Sequence, residues 1–175
     1  METNKEAIQD ILTRTSERIY TSESEIDPHD IDTLLHSAMA APTAVNKQPW
    51  HFVVVRDRNL LKAMGNALPY CHMAANASLA IVVCGDRNRF LSGDDETLWI
   101  QDVSAASENI LLAAHALALG AVWTSVFPHE DRMGAVRNIL SLPDHLIPFN
   151  VIPVGHIAKE HAPKNKWDPS KVTYR

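Results

Sequence analysis

The chain has 175 residues, 46% apolar and 21% charged, with a net charge of −5. Such a chain can bury a substantial core in one domain, and its acidic balance argues against nucleic acid held by an overall positive field. No apolar run reaches membrane-spanning length, and the polar start METNKEAIQDILTR lacks the apolar core of a secretion signal, so a cytoplasmic protein is expected.

Residues 5–15 read as a first helix with Ile8, Ile11 and Leu12 on one face. Asp27-Pro28 opens a second, with Asp27 at the N-cap and Pro28 at the first helical position; Pro42 ends it. Phe52–Val55 is apolar without alternation, which predicts a strand covered on both faces. A helix over 58–67 and a buried strand over Leu79–Cys84, closed by Gly85-Asp86, follow. Residues 102–119 predict a helix apolar nearly all round, which must be either central or buried between subunits. Ala121–Phe127 reads as a third strand, His129–Leu140 as a helix, and Phe149–Gly155 as a fourth strand whose Pro153 favours an edge or terminal position. The tail from Lys159 is polar, with Trp167, Val172 and Tyr174 as isolated anchors. Cys71 and Cys84 make no disulfide framework, and Cys84 reads as a buried reduced thiol. With no repeat or linker, the expectation is a single α+β domain over residues 1–175.

Four segments could carry chemistry. In an extended Arg14-Thr15-Ser16-Glu17-Arg18, alternate residues share a face, so two guanidinium groups would flank a hydroxyl. That pattern suits an anion clamp, or arginines that merely complement a helix end. The loop Asn46-Lys47-Gln48-Pro49-Trp50 either aims amides at a ligand or simply stops a helix and packs Trp50. Gly120 before Trp123-Thr124-Ser125 is either a plain helix cap or a close backbone approach to a planar ligand. Lys164-Asn165-Lys166, alone, is solvated charge.

Taken in order, RxSxR, APTAVNKQPWHFVVV, WIQDVSAASENILLAAHALALGAVWTSV and PVGHIAKEHAPKNKWDPSKV resemble the nitroreductase family of FMN-dependent oxidoreductases, from about Ile11 to Tyr174. The resemblance implies a mixed, mainly antiparallel sheet wrapped by helices. It also implies a homodimer that exchanges C-terminal tails and binds FMN between its subunits. By position, Arg14 and Ser16 resemble the phosphate and ribityl contacts, and Arg18 the cation that stabilises reduced flavin at its pyrimidine edge. Asn46, with Gln48 in the same loop, resembles the amide contact to the cofactor. Trp123, Thr124 and Ser125 would line the isoalloxazine, and Lys164 and Lys166 match the basic pair on the phosphate. The implied activity passes electrons from NADH or NADPH to nitroaromatics, quinones or similar acceptors. A specialised dehydrogenating, dehalogenating or flavin-remodelling enzyme and a non-catalytic flavin-binding module are the alternatives. The basic pair is Lys/Lys where the family often has an arginine, and the chain leaves little room for an insertion lid.

Neither GxGxxG after a strand nor GxxxxGK[ST] occurs, which leaves a Rossmann site or P-loop unsupported. The nine histidines are dispersed, and His129-Glu130 leads to Met133 instead of a second histidine, so no zinc site is expected.

Overall fold

A computed structural model of the chain describes residues 5–21 and 24–175. Helices α1 (Lys5–Thr13), α2 (Pro28–Met39), α3 (Arg58–Ala67), α4 (Trp99–Ala116) and α5 (Glu130–Leu140) surround one sheet. Its strands are β1 (Trp50–Val55), β2 (Leu79–Asp86), β3 (Leu119–Ala121), β4 (Thr124–Ser125) and β5 (Leu146–His156). The order is β1-β2-β5-β3, with β4 also on β5, and every pairing among the described residues is antiparallel. This is the expected α+β architecture.

α2 starts where local chemistry says it should: the Asp27 carboxylate accepts the His29 N–H at 2.8 Å, ahead of Pro28. α1 is shorter than expected. After the Arg14 N–H donates to the Asp10 carbonyl, the chain turns extended, the Glu17 N–H donates to the Ala121 carbonyl, and Tyr20 bridges Ile157. Pairing along the sheet replaces another helical turn.

In β2, Leu79, Ile81 and Val83 pack with α2 and α4, while Ala80, Val82 and Cys84 pack on the other face with α3 and α5. β5 departs from strict alternation. Val83 lies opposite Asn150 and Cys84 opposite Pro148, so Phe149 is an extra residue, and Ile147 and Phe149 share a face with Ile152 and Val154. Asn150, wholly buried at this bulge, donates from Nδ2 to Ser107 Oγ at 2.8 Å and ties β5 to α4.

Four expectations need correction. The long helix begins at Trp99 and ends at Ala116, because Ala118 takes the left-handed conformation (φ 56°) and Leu119 already belongs to β3. One face of it is covered within the chain: Val103, Ala106, Ile110 and Ala114 are fully buried in the cluster shared with α2 and the sheet, whereas Leu112 is half-buried and Ala116 exposed. The third strand is split into β3 and β4 by Val122-Trp123, and Gly120 lies inside β3 and not at a helix cap. A Cβ there would stand 2.9 Å from Glu17 Cβ, so this glycine serves close approach.

The fourth strand is central, not an edge. Its prolines sit where the ladder asks for no donor: Pro148 at the bulge, and Pro153 between the residues paired with β3 and with β4. The Pro153 carbonyl accepts the Tyr20 hydroxyl there at 3.1 Å. Finally, β1 is not covered on both faces; it is an outer strand, mostly half-buried.

Both cysteines are free and buried, and burial pushes the Cys84 thiol up to about 12. No helix among the described residues is long and apolar enough to cross a membrane. The tail is exposed, Trp167 at 70% and Tyr174 at 89%.

Candidate functional site

The extended segment after α1 and the start of the tail form the two walls of a groove of about 830 Å³. Arg14, Ser16 and Arg18 line one wall, and Lys164 and Lys166 the other. Two motifs separated by most of the sequence thus meet, and either one alone would be solvated charge. Ile11, Leu12 and Trp167 supply apolar surface at the same groove.

Arg14 is the best-held cation. Its side chain is 16% exposed, its Nε lies 3.3 Å from Glu108 Oε1 on α4, and its Nη1 is buried without a hydrogen-bond partner. A buried guanidinium N–H with no acceptor is costly, and an anionic oxygen in the groove would satisfy it. Arg18 folds back on its own segment, donating from Nη1 to the Ser16 carbonyl at 3.1 Å. Asn165 accepts the Trp167 N–H at 3.0 Å, which turns the chain between the lysines and the tryptophan.

Two residues absent from the sequence-based site shape the groove. Glu17 is 5% exposed, and its carboxylate accepts from the Thr15 hydroxyl and from His161 Nδ1 (2.6 Å) and N–H (3.2 Å). Burial works to raise its pKa, but these hydrogen bonds outweigh burial and hold it below the usual carboxylate value. The available signal was alternation: between Ser16 and Arg18, an extended chain turns Glu17 toward the protein, where a carboxylate requires partners.

The loop at 43–49 lies outside the groove lining. Val45, Asn46 and Gln48 all have positive φ (45°, 55°, 50°), unusual for non-glycine residues and most of all for a β-branched one. The strain is held in place by the buried Asp102 of α4, whose carboxylate accepts the Ala44 N–H at 3.0 Å, and by Thr43 Oγ1, which accepts the Gln48 N–H at 3.1 Å. Gln48 Nε2 donates to Asn46 Oδ1 at 2.9 Å, both side chains exposed. Strain so maintained on an exposed loop is characteristic of binding sites. Pro49-Trp50 is its anchor: the Pro49 carbonyl accepts the Asp86 N–H at 2.8 Å, and Trp50 packs against the core.

The third predicted group also lies outside the groove. Trp123 is half-buried, packing edge-on against Phe149 and donating from Nε1 to Ser125 Oγ at 3.1 Å. Thr124 is buried, its hydroxyl donating to the Val151 carbonyl at 2.6 Å, and Ser125 is exposed.

The model of the Nitroreductase family matches residues 11–71 and 66–156. A protein of Archaeoglobus fulgidus, provisionally named an NADH dehydrogenase/NAD(P)H nitroreductase, is 44% identical over 171 residues, covering 96% of this chain and 97% of its own. A crystal structure of a similarly named protein from Bacteroides thetaiotaomicron superposes with a TM-score of 0.91 at 43% identity, covering 98% of both chains. A provisionally named nitroreductase from Desulfovibrio desulfuricans, solved in complex with FMN, has a TM-score of 0.84 at 28% identity over 100% of this chain and 98% of its own. Matched along nearly its whole length in both sequence and fold, this chain belongs to the nitroreductase family.

Proposed function

We propose that the chain is an FMN-dependent NAD(P)H oxidoreductase acting on nitroaromatics, quinones or similar acceptors, and that the Arg14 groove receives the FMN phosphate. The observation that carries the reading is Arg14, whose Nη1 is buried and unpartnered, lining one groove with Ser16, Arg18, Lys164 and Lys166. When bound, FMN supplies the transfer of hydride between nicotinamide and acceptor. The protein holds and orients it: Arg14 and the two lysines neutralise the phosphate, Ser16 offers a hydroxyl to the ribityl chain, and Arg18 places positive charge at the pyrimidine edge. Asn46, Gln48 and the 123–125 segment would meet the ring system.

Since this loop and segment lie apart from the groove lining, we propose that a second subunit of a homodimer completes the site. Ile8, Ile11 and Leu12 support this, being 58%, 60% and 67% exposed on a helix with no buried residue. The free edge of β1 and the exposed tail fit the tail exchange implied by the family resemblance. The decisive experiment is the visible spectrum of the purified protein. It should show flavin absorbance, released as FMN on denaturation, and NAD(P)H should be consumed when menadione or a nitrofuran is added. A colourless protein that FMN cannot reconstitute overturns the proposal; tight FMN with no turnover leaves a flavin-binding module.

A further inference from the structure

We propose that Glu17 is a positioning residue: by clasping His161 it sets Lys164 and Lys166 against Arg14 and Ser16, so that one buried carboxylate assembles the phosphate end of the groove. This rests on the FMN reading above. The last backbone bond from the tail to the body is Ala158 N–H to the Ile19 carbonyl, at 2.9 Å. Beyond it, the hydrogen bonds tying residues 159–167 to the rest of the chain, among the described residues, are the two from His161 to Glu17. Lys164 and Lys166 follow within five residues, on an exposed segment with no helix or strand. Their position therefore depends on the clasp.

The anchor itself is tied to the sheet. The Glu17 N–H is bonded to the Ala121 carbonyl of β3 at 3.1 Å, and its stem fills the space that a side chain at Gly120 would take. The arrangement also resolves an electrostatic conflict. A carboxylate amid Arg14, Arg18 and two lysines would repel a phosphate and compete for its cations. Turned inward and supplied with donors by Thr15 and His161, Glu17 leaves those cations to the ligand.

The test compares FMN with riboflavin, which has the same ring and ribityl chain but no phosphate, titrated by flavin fluorescence against the full-length wild type, His161→Ala, His161→Asn and Glu17→Gln. His161→Ala should weaken FMN by about tenfold or more while riboflavin affinity stays within about twofold, because a charge-assisted phosphate contact is lost and ring contacts are kept. His161→Asn, whose amide N–H can stand in for Nδ1–H, should recover most of the loss. Glu17→Gln should behave like His161→Ala. In the flavin-free protein, hydrogen exchange at the residue 161 amide, which donates to Glu17, should rise in His161→Ala and fall back in His161→Asn. FMN affinity unchanged in His161→Ala, or an equal loss for both flavins, overturns the positioning role and leaves the FMN reading intact. A wild type that binds neither flavin removes the FMN reading, and this inference with it.

Discussion

Arg14 combines two features that rarely coexist in a resting protein: it is nearly buried, yet one of its guanidinium nitrogens has no partner. Glu108 holds the Nε side, and Arg14 lines the groove. An unpaired buried donor costs about 1–3 kcal/mol, and an anion that fills it recovers that cost and adds a charge-assisted bond. Arg14→Met should therefore weaken FMN by about 10- to 100-fold, since hydrogen bonds to charged groups contribute about 1.5–3 kcal/mol. The melting temperature of the flavin-free variant should not fall. Titration and thermal denaturation of the same variant check both halves; a stability loss with unchanged FMN affinity would make Arg14 a structural residue. Glu17 gives a second outcome at this scale. Its folded pKa is depressed, so its stabilising contribution is present above the unfolded carboxylate pKa and is lost as pH falls through the folded value. Tail docking should hold at neutral pH and release only below the usual carboxylate range, seen as rising hydrogen exchange at the His161 amide. Glu17→Gln should remove that dependence.

At the scale of elements, the parts legible in the sequence are those where local chemistry decides. Asp27-Pro28, the 58–67 helix and the continuous apolar run of β2 are local signals, and the structure places them within a residue or two. The misread parts depend on partners distant in sequence. Pro153 tolerates a central strand because β3 and β4 leave a gap opposite it, which no window around residue 153 contains. Thr13 ends its helix because the next residues pair with β3 and β5. The site divides in the same way. RxSxR and the lysines were legible as charge patterns, whereas Glu17 and His161, 144 residues apart, were not. Gly85 shows the same dependence. In β2, its missing side chain lets Trp99 stack on Phe90 with ring centroids 4.9 Å apart, and a Cβ would sit 2.5 Å from the Trp99 ring. Trp99 begins α4, which carries Asp102 to the strained loop. Gly85→Ala should cost about 1–3 kcal/mol by overpacking, measured by urea denaturation. It should also lower flavin affinity through the displaced helix; a neutral substitution would mean that the aromatic stack adjusts freely.

Among the described residues, three surfaces are left largely uncovered: the apolar face of α1, the edge of β1 and the tail beyond Trp167. Each is ordinary alone, since folded proteins expose much apolar area. Their combination fits the proposed dimer, because α1 leads directly into the Arg14 wall while the loop and the 123–125 segment stand away from it. If a partner covers α1, its docking and the completion of the site are one event, and flavin binding should be linked to association. Ile8 separates the two effects. It is 58% exposed on α1 and, unlike Ile11 and Leu12, does not line the groove. A charge at that position would be buried by dimerisation and left unpaired, while the monomer, in which the residue already faces solvent, should tolerate it. Ile8→Glu should shift sedimentation from dimer toward monomer without lowering monomer helicity by circular dichroism. FMN should then bind more weakly, and raising protein concentration should restore it. Full FMN affinity in a monomeric Ile8→Glu would show that one subunit makes a complete site, with the strained loop reaching its own groove. A variant that stays dimeric would place the interface elsewhere than α1.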